Sequence, residues 1–370
     1  MSGRAADLEG GVGAEQGGAG DVIPVRADER FDEAALAAWL RGKLPGADAP
    51  LAVAQFGGGH ANLTYLLRFG EGARAVEYVL RRPPLGPVAP GSHDMAREWR
   101  ALSVLWQAFP PAPRAFLFCE DAAVLGAPFV VMERRRGVVV RGSVPAVFGG
   151  GRDERANRKL AEVVVDTLVE LHAVDPKPLG LDALGRDPAR FLERQLAGWL
   201  DRYRRAQTSA LPRADELARW LDDERPASPP PTLLHNDWRL DNMAVAEDDP
   251  GRCVAVFDWD MCTLGDPLAD LGTLLALWSN RGDAPAGTNP MPTQTPGFLT
   301  REEAVARYGE RSGRDVGTMP WYDVFGTFKM AVVLQQIYAR FARGQTRDAR
   351  FAGLERAAAG LFELAASRRP

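Results

Sequence analysis

The chain has 370 residues, 46% hydrophobic and 25% charged, with a net charge of −4. That size fits one large two-lobed domain or two ordinary ones, and the mild acidity argues against nucleic acid as the main partner. Cys119, Cys253 and Cys262 form no Cys-x-x-Cys pair, so neither a disulfide framework nor a thiolate zinc site is indicated, which points to a reducing cytoplasm.

Residues 1–21 are rich in Gly and acidic residues without an apolar core, so they read as a flexible tail and not as a secretory signal. Leu36, Leu40 and Leu44 predict a helix within 31–44. A strand at 51–56, the break Gly57-Gly58-Gly59, a strand at 63–69, a Gly-containing turn at 70–72 and a strand at 75–81 make a β-meander, which Pro83 and Pro84 end. Residues 94–107 predict an amphipathic helix with Met95, Leu102, Leu105 and Trp106 on one face. Two more strands are expected near 115–119 and 128–133, followed by a candidate hinge at Arg134-Arg135-Arg136-Gly137.

Past residue 150 the pattern turns helical. Leu160, Val163, Val164, Leu168 and Leu171 mark a helix over 153–174, and a further helical region covers about 187–223 before Pro229-Pro230-Pro231. A polar hairpin region runs from 232 to 260. Residues 281–298, rich in Pro, Gly and Thr, read as a surface loop or lid, and 301–368 read as helical. No apolar run is long enough to span a bilayer, and no internal repeat is present. The expected fold is α+β: a small N-terminal antiparallel β lobe with one helix, residues 22–133, on a larger, mainly helical lobe, residues 134–370.

The chemistry concentrates in 233–270. Leu233 and Leu234 deliver His235-Asn236-Asp237 to a strand end, Asn242 follows five residues after Asp237, and the apolar run Val254–Phe257 delivers Asp258. Phosphoryl transfer needs a carboxylate to orient and deprotonate the acceptor hydroxyl, and oxygen ligands for magnesium bridging the phosphates. Asp237 suits the first role, Asn242 and Asp258 the second. The Asp-x4-Asn spacing equals that of the protein-kinase catalytic loop.

The stretch His235-Asn236-Asp237-Trp238-Arg239-Leu240-Asp241-Asn242 resembles the His-Gly-Asp…Asn motif of aminoglycoside phosphotransferases and choline kinases, which have a protein-kinase-like fold. Val256-Phe257-Asp258-Trp259-Asp260, followed by Gly265-Asp266-Pro267-Leu268-Ala269-Asp270-Leu271, resembles the second motif of that family. The wording is most similar to the kinase-like domain found fused to some acyl-CoA dehydrogenases, and the likeness covers nearly the whole chain from about residue 22. It implies an ATP- and magnesium-dependent phosphotransferase acting on a small-molecule hydroxyl. Asp237 would be the catalytic base and Asn242 and Asp258 the metal ligands, with His235 and Asp260 in support. Asp266 is expected to brace the catalytic loop, and Asp270 to cap the helix that follows. Asn236 stands where Gly is commoner in the family, and Asn tolerates unusual backbone angles.

In the first lobe the resemblance gives Gly57, Gly58 and Gly59 a phosphate-covering turn, with Asn62 and Thr64 as polar contacts. Glu98 lies on the apolar face of its helix and calls for a partner, for which Arg81 on the third strand is the candidate. Val79 shares the strand face of Arg81 and would contact adenine, near Met132 and Glu133 at the hinge. The family usually has Lys where Arg81 stands, and no Lys occurs between Lys43 and Lys159. His60, His93 and His172 receive no role.

Three other readings fit parts of the chain. A kinase-like scaffold that binds nucleotide without turnover would keep the fold. A haloacid-dehalogenase-like phosphohydrolase would use the Asp258-x-Asp260 pair, but it leaves Asp237 and Asn242 unexplained and puts Thr263 one residue too far. An aminoglycoside resistance kinase would want an acidic acceptor pocket, whereas residues 301–314 mix Arg and Glu evenly. The acceptor most compatible with the resemblance is a hydroxylated acyl-CoA or related acid.

Overall fold

The computed structural model describes residues 22–57, 62–85, 93–283, 291–346 and 349–370. The expected tail at 1–21 lies outside these residues, as do Gly58 and Gly59 of the first meander turn.

The first lobe opens with the two-residue strand Val22–Ile23 (β1) and the helix Glu33–Leu40 (α1), whose capping residue Asp32 accepts from the Ala35 N–H. Strands Leu51–Phe56 (β2), Leu63–Phe69 (β3) and Val76–Arg82 (β4) form the meander. Helix Met95–Leu102 (α2), strand Ala115–Cys119 (β5), the short helix Ala122–Leu125 (α3) and strand Phe129–Glu133 (β6) complete it. The described strands pair antiparallel as one six-stranded sheet in the order β1-β2-β3-β4-β6-β5. Two residues carry no readable period, so β1 is absent from the sequence expectation. It exists by pairing Val22 with Phe56 at the sheet edge. The helix predicted over 94–107 stops at Leu102, and Leu105–Gln107 forms a separate 3-10 turn.

Strand alternation divides the core in two. Phe129 and Val131 of β6 pack with Leu36 and Leu40 of α1 and with Leu67 and Leu80, whereas Val130 and Met132 face Met95, Leu102 and the larger lobe. On β4, Val79 falls on the second side, packing against that larger core, and Arg81 reaches Glu98 of α2. Arg82 points the other way and donates to the Leu125 carbonyl at 2.8 Å.

The second lobe contains the strand Val138–Val139 (β7) and helices Glu154–His172 (α4), Phe191–Ala206 (α5) and Pro212–Asp223 (α6). Strands Thr232–Leu234 (β8), Met243–Val245 (β9), Cys253–Val256 (β10) and Thr263–Gly265 (β11) follow. Helices Pro267–Ala276 (α7), Arg301–Ser312 (α8), Met319–Ala342 (α9) and Leu354–Ser367 (α10) close it. The short strands pair as β10-β9-β7 and β11-β8. Helices α7 and α9 cross with their backbones in contact. A Cβ on Gly326 would collide with the Gly272 carbonyl oxygen, and one on Gly272 with the Tyr322 carbonyl oxygen. Only glycine permits that approach.

Of the expected surface loop at 281–298, residues 281–283 are exposed, but the stretch from 291 needs correction. Met291, Pro292 and Thr293 are buried, and the Met291 sulfur accepts from the Leu240 N–H at 3.5 Å. Polar and Pro-rich composition concealed a segment that backs the catalytic loop. Among the described residues no helix is long and apolar enough to cross a membrane.

Candidate active site

Pairing of β8 with β11 sets Leu234 opposite Thr263 and delivers His235 at the strand end. The buried His235 ring lies edge-on to Trp238 and Trp259, 5.5 and 4.9 Å between centroids. Its Nε2 donates to the Phe257 carbonyl at 2.8 Å, and its Nδ1 accepts from the Asp237 N–H at 3.3 Å. One tautomer satisfies both contacts and ties the loop carrying Asp237 to the strand leading into Asp258.

Asp270, fully buried on α7, grips the same loop. Its Oδ2 accepts from the His235 N–H and its Oδ1 from the Asn236 N–H, each at 2.7 Å. Asn236 adopts φ +67°, a left-handed conformation that Asn accepts better than most residues. The expected roles of the two α7 acids are therefore exchanged. Asp266 caps α7, accepting from the Leu268 N–H at 3.0 Å and from the Tyr322 hydroxyl at 2.7 Å, and Asp270 braces the loop. The pattern Asp266-Pro267 is a helix start with Pro at the first position. One turn later, Asp270 projects from the same helix towards β8.

Asn242 donates its amide to the Asp237 Oδ2 at 2.8 Å and to the Asp237 carbonyl at 2.9 Å. Its nitrogen is thus committed, leaving the side-chain oxygen for another ligand. The Phe257 N–H donates to the Asn242 carbonyl at 2.7 Å, which sets the residue before Asp258 beside Asn242. Burial pushes the Asp237 carboxyl above its ordinary range, and the nearby Asp258 charge adds to the shift. Asp258 moves the opposite way. Burial alone would raise it, but the charge and hydrogen bond of Arg81 hold it below the usual carboxylate range. Two acids driven apart in this way suit a proton acceptor beside a permanent anion.

Arg81 joins the lobes. Its Nη1 meets Glu98 Oε1 and its Nη2 meets Asp258 Oδ1, both at 2.7 Å. Glu98 is completely buried. Burial pushes its carboxyl up to about 7, against the pull of Arg81 and with Asp258 and Asp260 adding to it. Arg81 Nε and Glu98 Oε2 have no hydrogen-bond partner among the described residues. The Asn62 side chain is engaged by two neighbours. It donates to Asp260 Oδ2 at 3.1 Å, and its oxygen faces His93 Nδ1 at 2.9 Å. Asp260 therefore anchors the chain after the glycine turn, and Arg97 donates to its carbonyl at 3.1 Å.

Val79 pairs in register with Met132 on the cleft side of the sheet. The Glu133 N–H donates to the Arg114 carbonyl at 2.8 Å, and its Oε2 meets Arg135 at 2.9 Å and accepts from the Arg114 N–H at 3.2 Å. Gly57 accepts from Arg26 at 3.3 Å. His172 lies behind Asp270, its Nδ1 2.8 Å from the Tyr308 hydroxyl and its Nε2 3.4 Å from Asp270 Oδ2. Sequence alone assigns it no role.

The donors left over fit a hard cation. Asn242 offers an oxygen, and Asp258 is an ionised carboxylate with one oxygen outside its contact with Arg81. Among the described residues no cluster of three or more His, Cys, Asp or Glu side chains is arranged for a metal. Magnesium held by one or two protein oxygens and otherwise by phosphates needs no such cluster.

With that geometry in place, the class follows. Residues 52–315 match the model of the phosphotransferase enzyme family, and the chain belongs to that family. It is a small-molecule phosphotransferase of protein-kinase-like fold. It is 33% identical over 334 residues to acyl-CoA dehydrogenase family member 11 of Gallus gallus, covering 86% of this chain and 41% of the relative. It is 30% identical to acyl-CoA dehydrogenase family member 10 of Mus musculus, covering 90% of this chain and 30% of the relative. The chain thus spans less than half the length of these relatives. A Ralstonia eutropha crystal structure, provisionally described as an aminoglycoside phosphotransferase, superposes with a TM-score of 0.75 at 28% identity over 92% of this chain and 98% of that one. Choline kinase from Cryptosporidium parvum shares the fold, with a TM-score of 0.59 at 10% identity over 91% and 95% of the two chains.

Proposed function

We propose that the chain transfers the γ-phosphoryl group of ATP to a hydroxyl of a small acceptor, with the nucleotide between lobes 22–133 and 134–370. The observation that carries this reading is the contact of Asn242 with Asp237 at 2.8 Å, together with the bridge from Arg81 to Asp258. Base, oxygen ligands and a fixed cation converge on one point between the lobes. Asp237 receives the acceptor proton as the acceptor oxygen bonds to the γ-phosphorus and the bond to the β–γ bridging oxygen breaks, releasing ADP. Asn242 keeps the Asp237 carboxylate aimed, and Arg81 supplies positive charge where phosphates would lie. Asn242 and Asp258 would hold magnesium, which when bound neutralises phosphate charge.

The relatives' description as acyl-CoA dehydrogenase family members favours a hydroxylated acyl-CoA or related acid as acceptor. Magnesium ATP should raise the melting temperature, and ADP release with hydroxyacyl acceptors should fall about 100-fold or more in Asp237→Ala. Unchanged turnover in that variant would remove Asp237 as the base.

A further inference from the structure

Only four of the 45 Lys and Arg residues are Lys, and one of them, Lys329 on α9, packs against α7, the helix that carries Asp270. Its ammonium donates to Thr273 Oγ1 at 3.1 Å. Thr273 stands three residues after Asp270 on α7, one turn from the carboxylate that grips the catalytic loop. The ammonium also lies over two aromatic rings, 5.6 Å from the Trp199 centroid and 5.8 Å from that of Phe325. Arg202, one turn beyond Trp199 on α5, covers the same indole at 4.5 Å. Helices α5 and α9 therefore bring two cations and two aromatic faces together, with Thr273 supplied by α7.

The electrostatics tie this cluster to the catalytic base. Burial brings the Lys329 ammonium down to about 8, while the charges of Asp270 and Asp237 pull it back up and Arg202 lowers it further. Among the described residues no carboxylate lies within ion-pair distance of Lys329, whose one hydrogen-bond partner is Thr273. A half-buried ammonium with one hydroxyl partner and two ring faces has donors to spare.

We propose that Lys329, with Arg202, Trp199 and Thr273, forms the subsite that holds an anionic oxygen group of the acceptor while its hydroxyl meets Asp237. This rests on the phosphotransferase reading and adds the feature by which the acceptor is recognised. The anion could be the carboxylate of a free hydroxy acid or a phosphate of its coenzyme A thioester. The chemistry is the same, a charge-assisted hydrogen bond in a partly dry site beside aromatic walls. A polycationic acceptor would meet like charge here.

The test uses the full chain with magnesium ATP and three sets of probes: four- to six-carbon hydroxy acids, their coenzyme A thioesters, and diols with the carboxylate replaced by a hydroxymethyl group. ADP release gives kcat and KM for each. Acids or thioesters should exceed the matched diols in kcat/KM by about 10- to 100-fold. Lys329→Met should erase most of that ratio through KM, and Lys329→Arg should restore part of it. A preference confined to thioesters assigns the anion to the coenzyme A phosphates, and one shared by the free acids assigns it to the carboxylate. Equal use of acids and diols, or a ratio unchanged in Lys329→Met, overturns the subsite. Calorimetry with magnesium ATP on the wild type separates the two possible failures. Nucleotide binding without transfer to any probe overturns the anionic-acceptor assignment alone, and absence of nucleotide binding overturns the phosphotransferase reading and the subsite with it.

Discussion

Replacing Asp270 with Asn tests the brace on the catalytic loop. The carboxylate accepts two backbone N–H groups at 2.7 Å in a fully buried setting. Hydrogen bonds to a charged group contribute about 1.5–3 kcal/mol each. Asn keeps one acceptor and turns an NH2 group on the other donor, so one bond is lost and the other weakened, a cost of about 3 kcal/mol. Asp266→Asn makes the comparison. Asn still caps a helix, and that variant should lose about 1 kcal/mol with the weakened Tyr322 contact. Urea unfolding at pH 7.5 measures both, and amide exchange at His235 and Asn236 reports the loop. Only Asp270→Asn should expose those amides. The pH dependence has a fixed sign. Burial alone would raise Asp270, but its hydrogen bond with His172 and the backbone donors hold it below its ordinary range. Its stabilisation is therefore present above the unfolded value of about 3.9 and lost as pH falls through the lower folded value. Equal losses in the two variants, or protected loop amides in Asp270→Asn, would refute the assignment of the brace.

Arg81→Met strands the buried Glu98 and should cost about 3–5 kcal/mol in urea unfolding, together with the thermal shift given by magnesium ATP; a loss under 1 kcal/mol would contradict the bridging role. Lys329→Met should stabilise the protein at pH 7 by about 1–3 kcal/mol, discounted for the partial exposure of the side chain. The folded value near 8 lies below the unfolded value of about 10.4, so the wild type regains this stability as pH rises between them and the two curves should meet near pH 10.5. Gly326→Ala should destabilise by about 3 kcal/mol because its new methyl meets the Gly272 carbonyl, whereas Gly360→Ala on α10, with nothing within 4 Å, should gain about 0.5–1 kcal/mol.

Much of this was legible in the sequence. The meander, the long helix α4 and the Asp237–Asn242–Asp258 spacing announce themselves through period and local chemistry. The partnership of Glu98 with Arg81 was also readable, since a carboxylate on an apolar helix face needs a cation. What escaped depends on tertiary contact. Asp266 and Asp270 both stand near a helix start, and only the course of β8 decides which one reaches the loop. Met291 lies among Pro and Thr residues that suggest solvent, and its role emerges where it meets Leu240. Lys329 is more than ninety residues from Asp237 in the sequence, so its contact with Thr273, three residues after Asp270, comes entirely from the α7–α9 crossing.

That crossing has a mechanical consequence. Helix α9 has 24 residues, about 36 Å of rod, and its touching point at Gly326 lies near the first third. A tilt of one degree about this pivot would swing Ala342 by roughly 0.4 Å but Lys329, about 4.5 Å away, by less than 0.1 Å. Movement of the far end of α9 is therefore damped at Lys329 by leverage, and α10 is held to α9 near the pivot itself, where Arg368 meets Asp323 at 3.1 Å and Thr327 at 2.9 Å.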